Sequence, residues 1–152
     1  MMKIFIKTIP LVLFIAFISQ AKTRSTSSGI GIILGNPTGI SLKLFDTGQT
    51  HFNGAVGWSL DKQRYLYLHG DYIFKRFVSY TPTSDFYLQP YMGFGFRLKT
   101  KKDALGFRIP LGIGYDFKSI PMDAFLEIAP TLDLIPATDF DLGIAIAFRY
   151  LF

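Results

Sequence analysis

The sequence has no cysteine. That excludes disulfides, thiolate-held metals and lipid attachment at a processed cysteine, so an exported form of this chain must find its stability elsewhere. Beyond residue 21 it also lacks any apolar run of the roughly 17–25 residues that a membrane-spanning helix requires. Histidine is scarce: His51 and His69 are the two in the chain, and no cluster at metal-ligand spacing forms around them. Gly29-Ile30-Gly31 and Gly93-Phe94-Gly95 are strand glycines without the loop-to-helix context of a phosphate cradle. Excess charge is slight, +5 overall, and it is scattered, which gives no argument for a nucleic-acid partner. No cofactor or metal is expected.

The chain is nonetheless 49% apolar. Residues 1–21 account for part of this. Lys3 and Lys7 precede an apolar stretch from Ile9 to Ile18, and Ser19-Gln20-Ala21 supplies small residues at the −3 and −1 positions. A secretory signal peptide is expected there, because the apolar stretch is too short for an anchor. Residues 22–28 read as a polar, flexible leader, and residues 29–152 as one domain.

In that domain apolar residues alternate with small or polar ones. The last thirteen residues set Phe140, Leu142, Ile144, Ile146, Phe148, Tyr150 and Phe152 against Asp141, Gly143, Ala145, Ala147, Arg149 and Leu151. A period of two is a strand whose faces meet different surroundings. The same pattern recurs at 29–34, 40–44, 51–60, 65–76, 86–99, 105–117 and 124–134, with turns at 35–39, 46–49, 61–64, 100–104, 118–122 and 135–139 and a longer connection at 77–85. Eight strands without a second domain predict an all-β fold, an eight-stranded antiparallel up-and-down barrel.

Alternation alone does not say which face is inside. The polar face carries Asp71, Arg97, Arg108, Asp116, Glu127, Asp133 and Arg149, interleaved with Gly57, Gly93, Gly95, Gly112, Gly114 and Gly143. Glycine on a wet strand face costs stability, whereas in a narrow lumen it makes room for long side chains to cross. The other face is bulky and uncharged. The barrel should therefore face lipid and hold its charges inside. With both termini at one rim, Phe52, Phe74, Phe86, Tyr115, Phe117, Tyr150 and Phe152 gather there, and Trp58, Phe96, Phe107 and Phe140 gather near the other, as two interfacial girdles. Pro90, Pro110 and Pro130 fall inside strands and call for bulges or waters; Gly54 and Gly70 fall on the lipid face without a reason.

His69 is the best catalytic candidate. Gly57 is expected opposite it and Ser59 diagonal to it, so Ser59, His69 and Asp71 have the elements of a nucleophilic triad. Against this, a diagonal pair sits about 7–8 Å apart and the lumen holds no lipid. The favoured reading places His69 and Asp71 in a lumen network with Arg97, Arg108, Asp116, Glu127, Asp133 and Arg149, with no enzyme activity. Lys99-Thr100-Lys101-Lys102 reads as a solvated turn, which could also contact lipid phosphates.

A closing strand that ends in Phe152, with Tyr150 and Phe148 at alternate positions before it, resembles the assembly signal of bacterial outer-membrane barrels. Over residues 29–152 the chain resembles the small OmpA/OmpX-type barrels. More closely, through Gly54-Ala-Val-Gly-Trp-Ser-Leu60, Tyr67-Leu-His-Gly-Asp-Tyr72 and Phe125-Leu-Glu-Ile-Ala-Pro-Thr-Leu-Asp-Leu-Ile-Pro136, it resembles short spirochaete outer-membrane barrels of unknown function. The resemblance implies an outer-membrane protein without a cofactor, whose partners are outer-membrane lipid, the barrel-assembly machinery at the last strand, and a host or envelope protein. Short turns argue against adhesion through a large loop. The leading function is a structural or surface-interaction, adhesin-like role with a plugged polar lumen; a narrow pore comes second and a lipid-modifying enzyme third.

Overall fold

β1 (Ser27–Gly35) and β2 (Thr38–Asp46) form the first hairpin. Their apolar residues at every second position leave no helical face to bury, so the chain extends. The computed structural model describes residues 27–58, 65–75, 88–100 and 103–152. The signal peptide, most of the leader and the 77–85 connection expected above lie outside the described residues. β1 begins at Ser27, two residues earlier than the alternation suggested.

The remaining segments are β3 (Thr50–Trp58), β4 (Leu66–Lys75), β5 (Leu88–Lys99), β6 (Ala104–Arg108), β7 (Leu111–Asp116), β8 (Met122–Ile135) and β9 (Asp139–Leu151). Each is antiparallel to its neighbours. β4 pairs with β5, and β1 pairs with β9, so the sheet closes on itself. β6 and β7 share β5 and β8 as neighbours and are the two halves of one strand. Eight strands therefore complete the ring, as expected. Ser28 and Phe152 exchange both backbone hydrogen bonds across the closing seam, at 3.0 and 2.8 Å.

The prolines are accommodated without the expected bulges. Register runs unshifted past Pro90, Pro110 and Pro130. Gly93 N–H donates to Pro110 O at 2.9 Å and Ile109 N–H donates to Pro130 O at 3.0 Å. In a narrow antiparallel pair the reciprocal bond would come from the proline nitrogen, and it is missing. Both losses fall at Ile109–Pro110, the point where β6 gives way to β7. By the same alternation, Pro90 turns its nitrogen toward β4, whose strand ends at Lys75, paired with Tyr91.

Bulges occur elsewhere. Between β1 and β2 the register slips from Gly29↔Lys43 to Ser27↔Asp46, and Phe45 adopts φ 54°. The left-handed residue reverses the alternation: Phe45 stays exposed while Asp46 turns into the lumen.

Outside, the large apolar side chains are solvent-accessible all round the barrel. Phe45, Phe52, Tyr72, Phe74 and Phe94 form a chain of ring contacts with centroids 4.9 to 6.4 Å apart, and Phe96 meets Phe107 at 5.6 Å nearer the opposite end. Phe86 lies outside the described residues. Gly54 and Gly70 face each other on this outer wall.

Candidate functional site: the barrel lumen

The inward positions of the eight strands project into an interior that side chains largely fill. Ionised groups there need partners, and the structure supplies them at three levels. At the end away from the termini, Arg97 grips Asp133 with two parallel bonds, Nε to Oδ1 at 2.9 Å and Nη2 to Oδ2 at 2.8 Å. Its Nη1 reaches Asp141 at 2.6 Å, which Lys99 also contacts at 3.0 Å. Lys99 thus belongs to the lumen rather than to a solvated turn; Lys101 and Lys102 lie outside the described residues.

In the middle, Arg108 donates through Nη2 to Glu127 and through Nη1 to the Tyr67 hydroxyl at 2.9 Å, with His69 Nδ1 at 3.1 Å. Asp71 Oδ1 lies 3.0 Å from Arg108 Nε without hydrogen-bond alignment. Tyr91 donates to the second Glu127 oxygen at 2.8 Å.

Near the termini, Arg149 holds Asp123 with two bonds of 2.8 Å and donates to Asn53 at 2.7 Å. Lys43 bridges Asp123 at 2.9 Å and Asp46 at 2.6 Å, and Lys75 also reaches Asp46 at 2.6 Å. Asp116 is held apart from the arginines by Gln89, whose amide donates to it at 2.8 Å.

A partial apolar septum of Ile33, Ala55, Ile73, Tyr91, Phe125, Ala145 and Ala147 lies between the middle and lower levels, interrupted between β3 and β4 where Asn53 of the lower level stands opposite Asp71 of the middle. Along β4, Ile73 stands between Asp71 and Lys75; along β8, Phe125 stands between Asp123 and Glu127. Ile33, Ile73 and Phe125 are 1%, 0% and 5% exposed. Among the described residues no hydrogen bond or ion pair joins the two levels, and Arg149 stacks beneath the Phe125 ring at 4.6 Å.

Glycine makes the crossing possible, as expected. A Cβ at Gly95 would overlap Asp71 and the backbone of Gly70, and one at Gly106 would overlap Asp133 Oδ1. The sites of the side chains that close the lumen are thereby kept open.

All eight expected network residues face the interior, but they do not form one cluster. His69 and Asp71 join Arg108 and Glu127; Asp133 joins Arg97; Arg149 and Asp116 belong to the lower level. The disfavoured triad candidate does not have the register it would need. Ala55 lies opposite His69, and Gly57 lies opposite Tyr67. The diagonal neighbours of His69 on β3 are therefore Asn53 and Gly57, not Ser59, which is outside the described residues. Sequence reasoning omitted Lys43, Lys75, Asp123 and Asp141 from the network, although their parity placed them on the inner face. Asp46 carried no such signal, because the Phe45 bulge reverses its parity. Phe148, Tyr150 and Phe152 lie on the outer face or end of β9, with Phe148 opposite Ile32 and Tyr150 opposite Ile30.

A ring of antiparallel strands with apolar side chains outside and ion pairs within defines an inverted barrel, the opposite of a water-soluble one. Among solved structures the chain is similar to the N-terminal β-barrel domain of Pseudomonas aeruginosa OprF, with a TM-score of 0.55 and 13% identity over 84% of this chain and 96% of that one. At that identity the likeness establishes a shared fold, and the expected small-barrel resemblance holds at that level. No family model and no curated protein matches the chain.

Proposed function

We propose that the protein is an integral outer-membrane barrel with a structural or surface-interaction role and a closed lumen. The outward apolar wall supports the membrane placement, since in water so much exposed apolar area would drive association. One observation supports the closed-lumen reading: ion pairs at three levels, with Ile33, Ile73 and Phe125 packed between two of them, fill the interior. A pore would need those side chains displaced, together with the guanidinium–carboxylate forks on either side.

Partners in this reading are membrane lipid around the wall, the assembly machinery at β9, and an envelope or host protein at the exposed end. Reconstitution in planar bilayers tests it. The unmodified protein should show heat-modifiable migration on detergent gels and no large, stable single-channel conductance. Steady conductance would replace the plug with a pore.

A further inference from the structure

At the rim opposite the termini, β8 and β9 run on past the end of β1. The pairing of β1 with β9 stops at Gly35↔Ala145, whereas β9 continues to Asp139 in unbroken register with β8, from Ala129↔Gly143 to Asp133↔Asp139. Among the described residues, Asp139–Gly143 therefore has a strand on one side and none on the other. The β1–β2 turn does not fill this step. Its Asn36 N–H donates to Ile144 O at 2.9 Å, and its Asn36 carbonyl oxygen lies 2.9 Å from where a Gly143 Cβ would stand. Pro37 turns the other way, toward Gly57 of β3, whose Cβ would meet the proline ring at 2.7 Å.

The bonds lower in β9 fix where the open backbone groups point. Ile144 O accepts from Asn36, and Phe152 exchanges both bonds with Ser28, so even-numbered residues of β9 aim their N–H and C=O groups toward β1. By the same alternation Leu142 and Phe140 aim theirs at the open edge, while Asp141 turns toward Thr131 of β8. The Phe140 and Leu142 side chains stand on the outer face, 66% and 50% exposed. Strand edges are commonly blunted by proline, lysine, a bulge or an inward charge. Asp139–Gly143 has no proline, lysine or bulge, and its inward carboxylate, Asp141, is already taken up by Arg97 and Lys99. The edge is flat, regular and open to a further strand.

We propose that the overhang of β9 receives an extended segment of another protein as an added antiparallel strand, with apolar side chains at alternate positions opposite Phe140 and Leu142. An extended chain presents donors and acceptors at the two-residue spacing of this edge. A second copy in the same membrane cannot supply it by antiparallel pairing, because the two-fold axis relating two such edges would invert one barrel. The leader, residues 22–26 after removal of the expected signal peptide, spans at most ~18 Å, while β1 alone separates it from this rim by ~30 Å. The proposal deepens the surface-interaction reading and rests on it for the outward orientation of this rim. Its test in micelles is independent of conductance and orientation, so either reading can fail alone.

The probe is a heptapeptide, Lys-Val-Thr-Val-Thr-Val-Lys, with a copy methylated at every valine nitrogen as its control. Isotope-labelled protein folded in a zwitterionic detergent is titrated with each and followed by amide NMR. Saturable shifts centred on the Phe140 and Leu142 amides are expected, with a Kd on the order of millimolar for so short and generic a strand. Hydrogen exchange at those two amides should slow on binding, while that of Asp141, already bonded to β8, should not change. Leu142→Pro removes an N–H from the open edge and none from the β8 ladder, so heat-modifiable migration should be retained and binding weakened about fivefold or more. The methylated peptide should be weakened likewise, and it gives the reading on unmodified protein should the variant not fold. No saturable response, a response centred away from Phe140 and Leu142, or equal binding of the two peptides would overturn the proposal.

Discussion

Replacing Phe125 with alanine tests the septum directly. The ring is 5% exposed, contacts Tyr91 at a centroid distance of 6.2 Å and carries the Arg149 guanidinium at 4.6 Å. Truncating a buried phenylalanine costs about 3–5 kcal/mol through lost transfer energy and a residual cavity. A desolvated cation–π contact adds as much as about 2 kcal/mol. The cavity would lie between Glu127 above and Asp123 below, polar enough for water to enter. Two consequences should therefore appear together in Phe125→Ala. Urea unfolding from lipid vesicles should show a loss of about 3–7 kcal/mol, and bilayer recordings should show brief small openings absent from the parent. Phe125→Leu keeps most of the volume and should stay closed. A loss below about 1 kcal/mol with unchanged recordings would mean that this ring neither packs the interior nor seals it.

Other expectations concern the central level and the assembled wall. Glu127→Gln removes the carboxylate that accepts from both Arg108 and Tyr91, and should cost about 3–5 kcal/mol as a broken buried pair; Asp71→Asn, whose oxygens have no aligned hydrogen bond, should cost at least about 1 kcal/mol less. Equal losses in the same unfolding assay would refute the distinction. Gly106→Ala should lower the folded fraction on heat-modifiability gels because its Cβ enters the Asp133 site, while Gly70→Ala, with nothing within 4 Å of its Cβ, should fold normally. Deleting Phe152 removes both backbone bonds with Ser28 and the terminal ring, so insertion into vesicles containing the assembly machinery should slow; normal insertion would remove β9's last residue as a determinant.

The ring of eight strands was legible because alternation survives in nearly every strand and because turns such as Asp46-Thr47-Gly48-Gln49 announce themselves. Gly48 at φ 88° donates to Asp46 Oδ1 at 2.8 Å, as such a turn requires. The inward lining was legible by parity, down to Arg97, Arg108 and Arg149. Two things were hidden. Ile33, Ile73 and Phe125 sit inside runs such as Tyr72-Ile73-Phe74, where an inward apolar residue between two outward ones looks like more lipid-facing surface. Pairings across the lumen, such as Lys43 with Asp123 eighty positions apart, depend on how strands tilt past one another, and no local pattern records that. The hairpin register of His69 failed for a smaller reason: a two-residue difference in where the β3–β4 pairing closes moves every opposite neighbour.

The prolines give the wall an uneven resistance to breathing. Gly93 and Ile109 each keep a carbonyl that no proline nitrogen can answer, so two neighbouring rungs of the ladder carry half their bonds. In a hydrocarbon layer no water replaces them. The seam between the chain's ends, by contrast, runs through seven consecutive pairs from Gly29↔Leu151 to Gly35↔Ala145 and finishes in the double bond of Ser28 with Phe152. Transient parting of strands will therefore start near Ile109–Pro110, where β6 gives way to β7, and amide hydrogen exchange will enter the wall there while the junction of β1 and β9 stays shut.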